Sequence, residues 1–421
     1  MQKMVIQGGQ RLLGEVNISG AKNAALPMLC ATLLTEAPCV LRGVPALRDI
    51  RTINQLLTGL GLKIAHENGD VRLDPRQVIS HEAPYEIVKT MRAGVLALGP
   101  LLARLGRARV SLPGGCAIGA RPVDQHLKGL EKMGATIQIE HGYIEAEAPH
   151  GLRGEAIAFD TVTVGGTENL MMAAALAEGE TVLQNAAREP EIVALAEWLR
   201  GMGAKIDGDG TETIRIRGVK ELGGVDQRLI PDRIETGTLI VAAGITKGNV
   251  LLRGARLDHL NRVVEKLRQA SLTIEPENGG VRVIGPHRPT PTDVKTSPYP
   301  GFPTDMQAQV MALMCLADGL SVISETIFEN RFMHVLELQR MGARITIEGH
   351  SALVRGIPLL TGAPVMATDL RASASLVLAG LAAEGTTEVQ RIYHLDRGYE
   401  GLDVKLNSLG AKITRVDQDK P

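Results

Sequence analysis

The stretch Ser111-Leu112-Pro113-Gly114-Gly115-Cys116-Ala117-Ile118-Gly119-Ala120-Arg121-Pro122 sets one thiol among glycines and follows it with a guanidinium. Its three glycines and two prolines exclude a long helix or a central strand. A loop this long in a compact domain reads as a functional lid. The thiolate is the reactive form of cysteine, and a nearby cation lowers the thiol pKa. Arg121 is close enough in sequence to act that way. A Gly-rich turn carrying an incidental cysteine is the competing reading.

A second group of chemistry-bearing residues gathers where apolar helices begin. These are Lys22 and Asn23; Lys89 and Arg92; Thr167 and Glu168; Asp232, Arg233 and Glu235; Thr304 and Asp305; and Asp369 and Arg371. Ordinary capping accounts for Asp232, Thr304 and Asp369, because such side chains satisfy free N–H groups. It does not account for Lys22, Arg92, Arg233 and Arg371, since a cation is unfavourable at the positive end of a helix dipole. An anion at the same place would explain them. Several such termini facing one cleft would bind a phosphorylated or nucleotide-linked substrate, with carboxylates interleaved for acid–base work.

Other chemistries find no support. No GxGxxG follows a first strand and no GxxxxGK[ST] occurs, which argues against a dinucleotide fold and a P-loop NTPase. His126, His334 and His394 read as local hydrogen-bonding residues, with no HxxxH pairing for a metal. The four cysteines form no CxxC pair, so a structural zinc site is not expected. Cys30 and Cys315 lie in apolar runs and read as inert core thiols. The net charge of −1 argues against bulk electrostatic binding of nucleic acid or anionic membrane. No signal-peptide core or spanning apolar run is found, so the expected setting is soluble, reducing and cytoplasmic.

The elements that must position these residues repeat. Helix-to-strand junctions recur as Gly59-Leu60-Gly61-Leu62-Lys63-Ile64, Lys132-Met133-Gly134-Ala135-Thr136-Ile137 and Gly201-Met202-Gly203-Ala204-Lys205-Ile206. They recur again as Gln269-Ala270-Ser271-Leu272-Thr273-Ile274, Arg340-Met341-Gly342-Ala343-Arg344-Ile345 and Ser408-Leu409-Gly410-Ala411-Lys412-Ile413. The period is about 70 residues, right for a small α/β unit. In five of the six, Gly supplies a left-handed helix stop, and Ser271 is the exception. Helices apolar on nearly every side recur with the same period, over 22–34, 89–105, 167–178, 233–245, 305–317 and 369–383. A helix without a polar face is buried. Each unit therefore reads as buried helix, strand, surface helix, strand and hairpin. Six units fall into two α/β domains of three, dividing near Gln227–Asp232. Three buried helices walled by sheets would invert an ordinary α/β barrel. The 44% hydrophobic content builds such cores, and with aromatics at only 2% they must be aliphatic. Trp198, in the surface-type run 192–199, reads as packing alone.

The chain closely resembles the UDP-N-acetylglucosamine enolpyruvyl transferases over essentially its whole length. The motifs that carry this are Ser19-Gly20-Ala21-Lys22-Asn23-Ala24, Lys89-Thr90-Met91-Arg92-Ala93, the cysteine loop through Asp124, and Ala187-Arg188-Glu189-Pro190-Glu191. Phe302-Pro303-Thr304-Asp305-Met306-Gln307-Ala308-Gln309, Phe328-Glu329-Asn330-Arg331-Phe332-Met333-His334 and Ala367-Thr368-Asp369-Leu370-Arg371-Ala372-Ser373-Ala374 complete them. The resemblance implies two inside-out α/β barrel domains with pseudo-threefold symmetry. The first covers 22–230 and carries the Cys116 lid; the second covers 1–21 and 231–421 and carries Asp305.

It also implies transfer of the enolpyruvyl group of phosphoenolpyruvate to the 3′-hydroxyl of UDP-N-acetylglucosamine, with release of phosphate, as the first committed step of peptidoglycan synthesis. Asp305 would be the general base. Cys116 would be the acid near the enolpyruvyl carbon and would assist product release. Lys22, Arg121 and Arg397 match the cations for the phosphate and carboxylate of phosphoenolpyruvate. Asn23 matches a sugar contact; Arg92, Thr163 and Val164 match diphosphate contacts. Arg121, Pro122, Val123, Asp124 and Gln125 match the segment beside the uridine. Ile327 matches a residue whose backbone meets the sugar amide, and Arg331, Asp369 and Arg371 belong to the same substrate-binding set. No metal or organic cofactor is implied, no nucleic-acid or membrane partner is expected, and the oligomeric state is left open. Many family members carry Leu where this chain has Gln125, and some carry Lys where it has Thr161. The competing readings are the sibling that acts on shikimate 3-phosphate, which should not need the cysteine lid, and a non-catalytic repeat scaffold.

Overall fold

A computed structural model of the chain describes residues 2–89, 91–112 and 123–417. It divides into two compact units, one of residues 2–19 and 231–417 and one of residues 20–112 and 123–230. Each has its own aliphatic core. One core draws on residues from Ala21 to Leu229, the other on Met4 to Val16 and Ile234 to Ile413.

Among the described residues, six helices lie within these cores: α1 (Lys22–Ala31), α2 (Leu98–Leu105), α3 (Val164–Ala174), α4 (Arg233–Ile245), α5 (Gln307–Met314) and α6 (Leu370–Ala382). Every residue of α4 and α5 is buried, as helices lacking a polar face require. In place of the expected single helix over 89–105 stand a 3-10 turn, Arg92–Ala97, and α2, preceded by the short helix Tyr85–Val88. Gly94, Gly99 and Pro100 fall in that stretch and weaken helix continuity. The helix Pro190–Gly201 departs from its surface-type reading, since eight of its residues are buried and Trp198 is 0% exposed.

The described residues form six open four-stranded sheets, three in each unit. In the 20–230 unit, Ala156–Ala158 precedes α3 and pairs in parallel with Glu180–Gln184, which follows it. Glu82–Ala83 and Arg107–Ser111 do the same across α2. The third sheet is completed from the far end of the unit, where Asp226–Arg228 pairs in parallel with Cys39–Arg42. The other unit follows the same scheme, and its last sheet takes the N-terminal strand Gln2–Gln7 between Thr386–Gln390 and Lys412–Asp417.

Each sheet is entered through the repeated helix stop. Gly61, Gly134, Gly203, Gly342 and Gly410 all have left-handed φ, between 91° and 111°. Ser271 adopts the same region at φ 70°, so the exception in residue type is no exception in conformation. The residue after each stop donates to a carbonyl five residues back, as in Leu62 to Leu57 (3.0 Å) and Leu272 to Leu267 (3.1 Å). That is the hydrogen bond of a Schellman stop, which a left-handed residue permits.

Candidate functional site

In the 231–417 unit the polar centre is Asp305. Pro303 leads into the 3-10 turn Thr304–Met306, which delivers the carboxylate at the head of α5. Arg331 Nη2 donates to Asp305 Oδ1 at 2.7 Å, and Arg371 Nη2 donates to Oδ2 at 2.8 Å. Both arginines are 5% exposed, while the Asp305 side chain keeps 27%. Burial alone would raise the Asp305 pKa. The charges and hydrogen bonds of Arg371 and Arg331 outweigh it and hold the carboxyl well below its usual range. The group is a permanent carboxylate whose open side can take a hydrogen bond from a hydroxyl.

The clamp is itself braced. Arg331 Nη1 donates to Thr304 Oγ1 (2.8 Å), whose hydroxyl donates to Glu325 Oε2 (2.8 Å). Glu325 Oε1 accepts from Thr296 Oγ1 and from the backbone N–H of Ile327, each at 2.8 Å. Asp369 caps α6 by accepting from Arg371 N (2.8 Å) and Ala372 N (3.0 Å), which sets Arg371 in the first turn. Gln309 of α5 donates to Tyr399 Oη and Thr238 Oγ1, both at 3.2 Å, tying α5 to α4. His334 is 1% exposed, and burial pushes its pKa down to about 4, so it is neutral. Arg397 ends the 3-10 turn Ile392–Arg397 and is half-buried.

In the same unit, Glu235 is 2% exposed at the start of α4. It takes an ion pair from Lys405 and accepts Ser19 N at 2.7 Å; Lys405 also donates to Ser19 Oγ at 2.7 Å. Ser19 Oγ donates to Glu400 Oε2 at 2.5 Å, and Asp232 N donates to Ser19 O at 2.8 Å. Burial raises the Glu235 pKa to about 7, against the pull of Lys405 and Ser19 N and with the help of Asp232. The folded state thus holds this proton more tightly than the unfolded chain. Its stabilising effect is complete below the ordinary carboxylate pKa and fades as pH rises through about 7. Glu235→Gln removes that dependence, so its melting temperature should gain on wild type between pH 5 and pH 8. A difference that stays flat or narrows over that range refutes the assignment.

In the 20–230 unit, Lys22 opens α1 and is 8% exposed; its Nζ pairs with Asp49 Oδ2 at 3.2 Å. Asn23 beside it is half-buried. A second group surrounds His126, which is 4% exposed, with Nδ1 3.1 Å from Asn169 Nδ2. Burial, then the charge of Arg92, pushes the His126 pKa down to about 4. Thr163 caps α3 by accepting Gly166 N at 3.2 Å, and Val164 is the first helical residue. A side chain at Gly165 would stand 3.3 Å from the His126 ring, so this helix start is seated on the imidazole. Val123 is buried, and Asp124 and Gln125 open the helix Asp124–Lys132.

The structure therefore groups Asp305, Arg331, Asp369 and Arg371, with Ile327 tied in through Glu325. Separately it groups Arg92, Thr163, Val164 and the 123–125 segment around His126. Cys116, Arg121 and Pro122 lie outside the described residues. Among the helix-start cations, Lys22 has Asp49 and Arg371 has Asp305 as protein anion partners. Asp49 and Tyr399 were not singled out from sequence. Glu168 was read among the polar helix starts. It is 5% exposed, and burial, then Glu191 and Glu189, raises its pKa well above the usual range.

A family model described as EPSP synthase (3-phosphoshikimate 1-carboxyvinyltransferase) matches residues 6–406. The UDP-N-acetylglucosamine 1-carboxyvinyltransferase of Trichlorobacter lovleyi is 60% identical over 418 residues, covering 99% of this chain and 100% of that protein. The protein of the same name from Geotalea daltonii is 61% identical over the same coverage. Among solved structures, the enolpyruvyl transferase NikO from Streptomyces tendae superposes with a TM-score of 0.89 at 25% identity, covering 99% of each chain. EPSP synthase from Acinetobacter baumannii superposes at 0.77 with 20% identity, covering 99% of this chain and 100% of that one, a likeness of fold.

Proposed function

Because this chain belongs to the UDP-N-acetylglucosamine 1-carboxyvinyltransferases, within the wider EPSP synthase family, we propose that it moves the enolpyruvyl group of phosphoenolpyruvate onto the 3′-hydroxyl of UDP-N-acetylglucosamine and releases phosphate. The observation that carries this is identity of about 60% from end to end with proteins of that name. The reaction is the first committed step of peptidoglycan synthesis, a cytoplasmic process serving cell-wall growth and division. Among the described residues no helix is long and apolar enough to cross a membrane. Helices α1 to α6 inside two cores, each with three open sheets, support two inside-out α/β domains, 22–230 and 1–21 with 231–421.

The roles follow from the chemistry. Asp305, kept ionised by two guanidiniums, accepts the proton of the attacking hydroxyl. Protonation of C3 of phosphoenolpyruvate, by Cys116, leaves positive character at C2, where the hydroxyl oxygen bonds. Loss of phosphate from C2 and of a proton from C3 then restores the double bond in the product. Lys22, Arg121 and Arg397 are the cations for the phosphate and carboxylate. Arg331, Asp369 and Arg371 maintain the base, and Ile327 and Asn23 take the sugar. Arg92, Thr163, Val164, Pro122, Val123 and Asp124 take the nucleotide, with Gln125 closing the segment beside the uridine.

Phosphate release from phosphoenolpyruvate tests the reading. UDP-N-acetylglucosamine should support turnover and shikimate 3-phosphate should not. The reverse preference, or no release with either acceptor, overturns it.

A further inference from the structure

Gln125 and Thr161 meet in the structure although 36 residues separate them. Gln125 Nε2 lies 3.1 Å from the carbonyl oxygen of Thr161 and 2.9 Å from its hydroxyl. In return, the Thr161 N–H donates to Gln125 Oε1 at 3.4 Å. One carboxamide thus grips both backbone polar groups of a single residue. Beside it, Lys128 donates to Asp160 Oδ2 at 3.2 Å and lies 3.6 Å from Asp124 Oδ2. The segment 160–161 is in this way fastened to the first turns of the helix Asp124–Lys132. Two residues later Thr163 caps α3, whose start rests on His126 of that same helix.

Resting on the proposed reaction, we infer that Gln125 is a positioning residue for the nucleotide diphosphate: by clasping Thr161 it fixes the approach to α3 and thereby the amides that Val164 and its neighbours offer to phosphate. A helix N-terminus binds phosphate through N–H groups whose direction is set by the backbone entering the helix. A lysine at position 161 would contribute a mobile charge. The clasp instead contributes pre-organised donors, which reduces the ordering cost of binding.

The test is steady-state kinetics with UDP-N-acetylglucosamine and phosphoenolpyruvate. Gln125→Leu should raise KM for UDP-N-acetylglucosamine about three- to tenfold, the range of one or two net hydrogen bonds. It should leave kcat and KM for phosphoenolpyruvate unmoved. The double variant Q125L/T161K, which exchanges the clasp for a cation, should recover most of the lost affinity, and calorimetric titration with UDP-N-acetylglucosamine should rank the three proteins alike. The inference is overturned by a Q125L KM within about twofold of wild type, by a parallel loss in kcat or phosphoenolpyruvate KM, or by a double variant no better than Q125L. A wild-type protein that releases no phosphate with UDP-N-acetylglucosamine refutes the proposed reaction itself, so the two failures are distinct.

Discussion

Asp305→Asn should lower kcat by about a hundred- to ten-thousandfold, with the dissociation constant for UDP-N-acetylglucosamine little changed. An amide keeps the shape of the carboxylate and one acceptor oxygen, so one of the two arginines retains its hydrogen bond. It cannot take a proton from the sugar hydroxyl. Asp305→Ala should also abolish turnover, but it strips both Arg331 and Arg371, each 5% exposed, of their carboxylate partner. Losing one side of such a buried pair costs about 3–5 kcal/mol, so the Ala variant should melt earlier and is the less informative of the two. In the wild type, a carboxylate held far below its usual pKa stays ionised as pH falls toward acid. Asp305 should therefore add no ionisation to the kcat profile between pH 5 and 8. Near-wild-type turnover in a folded D305N protein would remove the base assignment.

An epoxide mimic of phosphoenolpyruvate such as fosfomycin should inactivate the protein completely by alkylating Cys116. The competing thiols are poor targets. Cys30 and Cys315 are 0% exposed and Cys39 is 1% exposed. Burial pushes the Cys315 thiol up to about 12 and raises Cys30 and Cys39 as well, although a backbone hydrogen bond at Val225 offsets part of the effect on Cys39. Alkylation requires the thiolate, which these sites disfavour. Peptide mapping by mass spectrometry should find the adduct on the 113–121 segment, and Cys116→Ser should abolish labelling. An adduct on Cys30, Cys39 or Cys315 would contradict the lid reading.

Periodicity carried the architecture because each repeat must solve the same local problem. A helix must stop, reverse and enter a strand, and only a left-handed residue closes that turn cheaply. The same logic explains why Ser271 was read as an exception from its type while its backbone conforms. Local signals failed where the partner came from a distant element. The apparent excess of cations at helix starts pointed to external anions. For Lys22 and Arg371 the anion belongs to the protein, 27 residues away at Asp49 and 66 away at Asp305. Asp49 reads in sequence as an ordinary acidic residue of a helix first turn, and only folding buries it to 3% exposure. The break in the helix expected over 89–105 was visible as Gly94, Gly99 and Pro100, but the apolar run around them dominated the pattern. Gln125 and Thr161 lie 36 residues apart in sequence, and their hydrogen bonds become evident only when both are placed.

The placement of Gln2–Gln7 between strands from the other end of the chain has a biosynthetic consequence. The ribosome makes this strand more than 370 residues before either of the strands that flank it. The 20–230 unit has every strand of its sheets once residue 228 has left the exit tunnel, so it can mature during translation. Residues 2–7 must meanwhile wait, without their sheet partners and within reach of chaperones, until residues 386–417 have been made.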